Sequence, residues 1–140
     1  MDDRRRHAVC VAGSVRARTL SEIRVYRAAQ ESGSAVSAIL KRTVFGKDSD
    51  LKDQLSRSSS RVAPLIAEGF GQLTDRHVAV YLGRARGSVL ETISHLKKAL
   101  DEQFITETEH SAFADKYDHI GRMLTRWINH LQKSDWRDRG

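Results

Sequence analysis

Proline and cysteine each occur once in this 140-residue chain, and only nine side chains are aromatic. With one proline and nine scattered glycines, the sequence lacks the turn residues that a sandwich or barrel of short strands requires. Long helices are the alternative. The lone Cys10 cannot close an intrachain disulfide or fill a cysteine-rich zinc site, and it suits a reducing, cytoplasmic setting. No apolar run approaches the roughly 20 residues that span a bilayer, so no membrane partner is expected. Arg4-Arg5-Arg6 ahead of residues 8–12 has the charge order of a signal peptide. That apolar part is too short, however, and Gly13 and Ser14 break it.

What is present points to one water-soluble domain. Hydrophobic residues make up 39% and charged residues 30%, with a mean hydropathy of −0.52. A chain of this length buries roughly 70% of its unfolded surface. The formal charge is +6 and the isoelectric point 9.8. Residues 1–18 hold five arginines against Asp2 and Asp3, a balance of +3. Residues 101–118 hold six carboxylates against Lys116, a balance of −5, and residues 119–140 return to +3. A basic surface invites an anionic partner, above all nucleic acid. It also serves simply to solvate helix faces.

Apolar spacing divides the chain into four amphipathic helices. The first covers about 19–42, with Leu20, Ile23, Tyr26, Ala29, Val36 and Leu40 near one face and Thr19 or Ser21 as its cap. Ser32-Gly33-Ser34 is poor helix material at its centre. The second covers about 51–68, with Leu51, Leu55, Val62 and Ile66 on one face. Its Pro64 predicts a kink, and Gly69 and Gly71 are expected to end it in left-handed conformations. The third starts at Thr74 or Asp75 and carries Val78, Leu82, Ala85, Val89, Ile93, Leu96 and Leu100. The fourth, after an acidic turn at 106–111, carries Phe113, Tyr117, Ile120, Leu124, Trp127 and Leu131. Each has one apolar stripe, so none is stable alone. Short connections then give an all-α, antiparallel up-down-up-down four-helix bundle over 19–133. A basic extension, 1–18, expected to be poorly ordered, and a basic tail, 134–140, flank it.

Catalytic and metal chemistry find no foothold. His7, His77, His95, His110, His119 and His130 include no pair at the i,i+3 or i,i+4 spacing that presents two ligands on one helix face. Ser58 to Ser60 have no histidine and aspartate set beside them, and Gly69-Phe70-Gly71 follows a helix rather than a strand. No enzyme activity, cofactor or metal is therefore expected. Glu68 and Arg86 lie on consecutive antiparallel helices beside Gly69 and Gly87, which predicts an ion pair or register device with Ser88 beside it. The basic candidates for gripping a phosphate backbone are Arg57, Arg61, Arg76, Arg84, Arg122 and Arg126. Aromatic interleaving is weak, so bases are not expected to stack.

Three motifs carry a resemblance: Ile66-Ala67-Glu68-Gly69 with Gly71, Ala85-Arg86-Gly87-Ser88 with Glu91, and Ile120-Gly121-Arg122-Met123-Leu124. Together with Gln54 and Arg57 they resemble, over about 20–133, the small proteins encoded in intervening sequences of bacterial 23S ribosomal RNA genes. Pro64 stands one position late for that pattern, Leu65 replaces a common asparagine, and the loop before Leu51 is shortened. The resemblance implies an antiparallel four-helix bundle assembling as a homopentamer. The ending from Ile120 to Ile128 is also similar to the accessory protein of diversity-generating retroelements, which implies RNA or DNA and a reverse transcriptase, or another protein, as partners. The expected function is thus a non-enzymatic, oligomeric nucleic-acid-binding protein; the alternative is a protein scaffold or accessory subunit that binds no nucleic acid. Tyr26, Phe70, Tyr81 and Trp127 are the large side chains expected nearest contacts between copies.

Overall fold

The computed structural model describes the backbone of residues 10, 11 and 15–138 and the side chains of residues 17–133. The arginines at 4–6, the side chain of Cys10 and the side chains of the basic tail, 134–140, lie outside that description. Two-residue strands β1 (Cys10–Val11) and β2 (Val15–Arg16) pair antiparallel, Cys10 opposite Arg16. A 3-10 turn at Leu20–Glu22 leads into α1 (Arg24–Ile39), α2 (Ser49–Phe70), α3 (Asp75–Asp101) and α4 (Glu107–Asp138). Each helix packs on the next, and α1 closes against α4, which is the up-down-up-down bundle expected from the spacing. Ala17 is buried in the core, and α4 continues past residue 133.

The apolar stripes are the core. Leu51, Leu55, Val62 and Ile66 of α2 are all buried, as are Phe113, Tyr117, Ile120, Leu124, Trp127 and Leu131 of α4. On α3, Val78, Leu82, Ala85, Val89 and Leu96 are buried, while Ile93 and Leu100 pack half-buried at the margin. Burying each such side chain stabilises the fold by about 1.5–3 kcal/mol. Trp127, at 3% exposure, belongs to this core and not to an outer contact; Tyr26, Phe70 and Tyr81 are half-buried.

Local expectations are corrected where packing outweighs propensity. α1 does not start on a Thr19 or Ser21 cap: those hydroxyls contact each other at 3.1 Å, and the helix begins after Ile23. Ile23 is wholly buried in an extended conformation, and that burial exceeds the roughly 1 kcal/mol of a good cap. Ser32-Gly33-Ser34 stays helical because small residues let α1 approach α2. Ser32 is buried, and a Cβ on Gly33 would sit 3.4 Å from the Ser59 carbonyl oxygen. Helix α2 runs on through the exposed Pro64. Gly69 lies inside it, and Gly71 caps it at φ −80°, ψ −3°, so neither glycine supplies the left-handed ending expected.

The remaining turns use conventional chemistry. Thr74 Oγ1 accepts from the His77 backbone N–H at 3.2 Å to start α3. Gln103, at φ 62°, reverses the chain after α3. The acidic stretch expected as a turn at 106–111 is already helix from Glu107. Thr106 and Glu109 form a capping box: the Thr106 N–H donates to Glu109 Oε1 at 3.0 Å, and the Glu109 N–H donates to Thr106 Oγ1 at 3.1 Å. Arg42 also donates to both Glu109 carboxylate oxygens through its two terminal guanidinium nitrogens, tying the chain just after α1 to the start of α4. The Arg42 contact, with the Thr106 N–H second, draws the Glu109 carboxyl down to about 2.

Candidate functional site

Register between the helices decides which motif residues meet. A Cβ on Gly69 would lie 3.1 Å from Tyr81 Cβ. Thr92 Oγ1 donates to the Ser88 carbonyl at 2.7 Å and lies 3.0 Å from Ser58 Oγ. Gly69 thus faces Tyr81 and Ser58 faces Thr92, so each step along α2 is a step back along α3. By that register Glu68 is level with Leu82, whereas Arg86 is level with Pro64. Four residues of offset amount to about 6 Å along the helix axis.

Glu68 and Arg86 therefore form no ion pair: both are exposed, and neither has a salt-bridge partner among the described residues. The contact that fixes register is instead the buried Thr92–Ser58 pair in the α2–α3 seam, where Thr92 Oγ1 bonds Ser58 Oγ and the Ser88 backbone carbonyl while Ser58 Oγ donates to the Leu55 carbonyl. The motif around Arg86 splits by helix face. Ala85 and Ser88 point into the core, Arg86 and Glu91 are exposed, and a Cβ on Gly87 would meet nothing within 4 Å. Of the glycines in the first two motifs only Gly69 allows a close approach between helices; Gly71 is exposed beyond the helix.

The arginines divide between two surfaces. Arg57, Arg61, Arg76, Arg84, Arg122 and Arg126 are all exposed. Arg84 lies over the Tyr81 ring, 5.1 Å from its centre. Arg122 pairs with Asp118 one turn away at 2.5 Å, a solvent-exposed contact worth little. Arg76, Arg122 and Arg126 are gathered along the outer seam of α3 and α4, with Arg86 between them. Arg57 and Arg61 do not line that seam.

That seam is a groove in two stretches, of about 620 and 350 Å³. Here α4 runs close to α3: a Cβ on Gly121 would lie 3.6 Å from Val89 Cγ1. The floor is aliphatic, with Val80, Leu90, Ile93 and Ile128, and Gly83 is bare backbone with open space above it. Val80 is 46% and Leu90 58% exposed. Sequence reasoning missed this floor. Its signal was Val80 and Leu90, apolar residues standing off the core stripe of α3. Beneath the groove, Tyr117 is buried with no partner for its hydroxyl, and burial pushes that hydroxyl's pKa upward. Among the described residues no three His, Cys, Asp or Glu side chains converge as metal ligands, and no helix is long and apolar enough to cross a membrane.

The sequence model of the family described as "23S rRNA-intervening sequence protein" matches residues 21–126. That span holds all four helices except the end of α4. A crystal structure of a protein of unknown function from the S23 ribosomal protein family of Bacteroides thetaiotaomicron superposes with a TM-score of 0.68 at 17% identity. The match covers 74% of this chain and 97% of that one, and it establishes a shared fold. None of the curated proteins compared with the chain matches it.

Proposed function

The chain belongs to the 23S rRNA-intervening sequence protein family, and we propose that it is a non-enzymatic, self-associating protein that binds nucleic-acid backbone through exposed arginines. One observation carries this reading: Arg57, Arg61, Arg76, Arg84 and Arg126 are exposed and have no carboxylate partner among the described residues. Guanidinium groups left unneutralised on a chain of charge +6 are available for bidentate contacts to phosphate. They lie on helix faces without exposed aromatic neighbours to stack on bases, so the contact is to backbone and tolerant of sequence. Assembly as a ring of five would bring the formal charge to +30 from five copies of +6, which strengthens attraction of a polyanion. RNA and DNA are both candidate ligands, and a reverse transcriptase or another protein is a candidate partner.

Labelled RNA and DNA titrated across salt concentrations test the reading, alongside light scattering for assembly. The affinity should fall linearly with salt on logarithmic axes. Reversal of Arg57 and Arg61 to glutamate should flatten that slope by about one per lost phosphate contact. Absence of binding at low salt overturns the nucleic-acid reading, and a monomer at micromolar concentration overturns the ring. A second reading, a protein scaffold without nucleic acid, is favoured by the exposed Val80 and Leu90 in the α3–α4 groove.

A further inference from the structure

We infer that the α3–α4 groove docks an amphipathic helix of a partner protein, one with an aliphatic stripe flanked by carboxylates. This rests on the protein-binding reading of that face; it shares Arg76 and Arg126 with the nucleic-acid reading, whereas Arg57 and Arg61 lie outside the groove. The floor supplies the first requirement. Val80 and Leu90 are exposed aliphatics one helix face away from the core stripe, and Gly83 between them leaves the α3 backbone uncovered within the groove. From Val80 to Leu90 is ten residues, about 15 Å of axis. That length takes two to three turns of an incoming helix, whose i, i+3, i+4 and i+7 side chains fit such a groove. Gly83, bare of a side chain, lets its backbone come close.

The rim supplies the second requirement. Arg76, Arg86, Arg122 and Arg126 line the groove against Asp75 and Asp118, and Asp118 is already paired with Arg122. The surplus is positive on both sides of an apolar floor, so the complementary helix is acidic at its edges. Two other occupants fit less well. A second copy presenting this same face would set four arginines against four, whereas a different face of a neighbouring copy, as a ring of five requires, is told apart by the light-scattering outcome below. A phosphate backbone would be pressed on aliphatic side chains that give it no hydrogen bond and no ring to stack on.

The test uses the full-length protein and a labelled helical peptide of about 20 residues, long enough to span the groove, with a leucine and alanine stripe and glutamate flanks. A matched peptide carries lysine flanks. Anisotropy should show binding of the glutamate peptide and none of the lysine peptide. Leu90→Ser and Val80→Ser should each weaken binding about tenfold or more, as loss of a central apolar anchor does. Both residues are solvent-exposed, so thermal melts of the variants should match the parent. Arg126→Glu should weaken the glutamate peptide and improve the lysine one. Equal binding of the two peptides, or indifference to Leu90→Ser, overturns the inference. So does a light-scattering mass that drops with Leu90→Ser, which would assign the groove to a second copy, or RNA binding lost with Leu90→Ser, which would assign it to nucleic acid. Arg57→Glu with Arg61→Glu separates the two functions: RNA affinity should fall and peptide affinity should not.

Discussion

Alanine substitution of three helical glycines should give opposite signs, and the structure says which. Glycine in a helix interior is less stable than alanine by about 0.8–1 kcal/mol, through backbone entropy and lost shielding. At Gly83 and Gly87 a Cβ would meet nothing within 4 Å, so nothing opposes that gain. Each of Gly83→Ala and Gly87→Ala should stabilise the protein by about 0.5–1 kcal/mol. Gly69→Ala carries the same intrinsic gain but places its Cβ 3.1 Å from Tyr81 Cβ, with Leu82 Cδ2 and the Val78 carbonyl oxygen at 3.5 Å. Tyr81 Cβ is fixed to the α3 backbone, so relief requires the two helices to separate. Overpacking of this kind costs about 1–3 kcal/mol, which exceeds the propensity term. Gly69→Ala should therefore destabilise by up to about 2 kcal/mol, the difference between those two terms. Urea unfolding with a common slope measures all three. A Gly69→Ala protein stabilised as much as Gly83→Ala would refute the claim that α2 and α3 touch at this glycine. The same Gly83→Ala should weaken the acidic peptide while strengthening the fold, a split that a merely structural role would not produce.

Thr92→Val should cost about 0.5–1.5 kcal/mol, because it removes the hydroxyl that donates to Ser58 Oγ across the α2–α3 seam, while Ser58 keeps its own donation to the Leu55 carbonyl. A double-mutant cycle with Ser58→Ala should give a coupling of at least about 0.5 kcal/mol, and additive losses would count against the shared network. Glu109 links stability to acid pH: its carboxyl lies near 2 against an ordinary 4.5, held down first by Arg42. A carboxylate depressed by folding stabilises above its unfolded pKa and loses that contribution as pH falls towards its folded one. The urea midpoints of the parent and Glu109→Gln should differ most above pH 4.5 and converge between 4.5 and about 2. A constant gap across that window would show that Glu109 acts there through packing alone.

The periodicity of apolar residues determined by itself the number of helices, their order and most of their inward faces. The stripes of α2 and α4 are buried residue for residue, because a repeat near 3.6 is a local property that needs no knowledge of the partner. Thr74 was legible as the start of α3 for the same reason: a cap acts within one turn. The six exposed arginines were legible as surface. What only the tertiary structure decided concerns register and close approach. Glu68 and Arg86 share neighbouring helices but sit four residues out of step, and nothing in either helix alone reports that offset. Gly69 reads locally as a stop signal, yet its role is set by Tyr81 across the seam. Ser32-Gly33-Ser34 reads as a weak point, yet a Cβ on Gly33 would lie 3.4 Å from the Ser59 carbonyl oxygen of α2. The groove belongs to the same class. Val80 and Leu90 are ordinary helix residues until the rotation of α3 against α4 leaves them outside the core, between arginines contributed by both helices. Helix identity is a sum over neighbours in sequence, whereas the angle at which one helix meets the next depends on residues far apart in the chain.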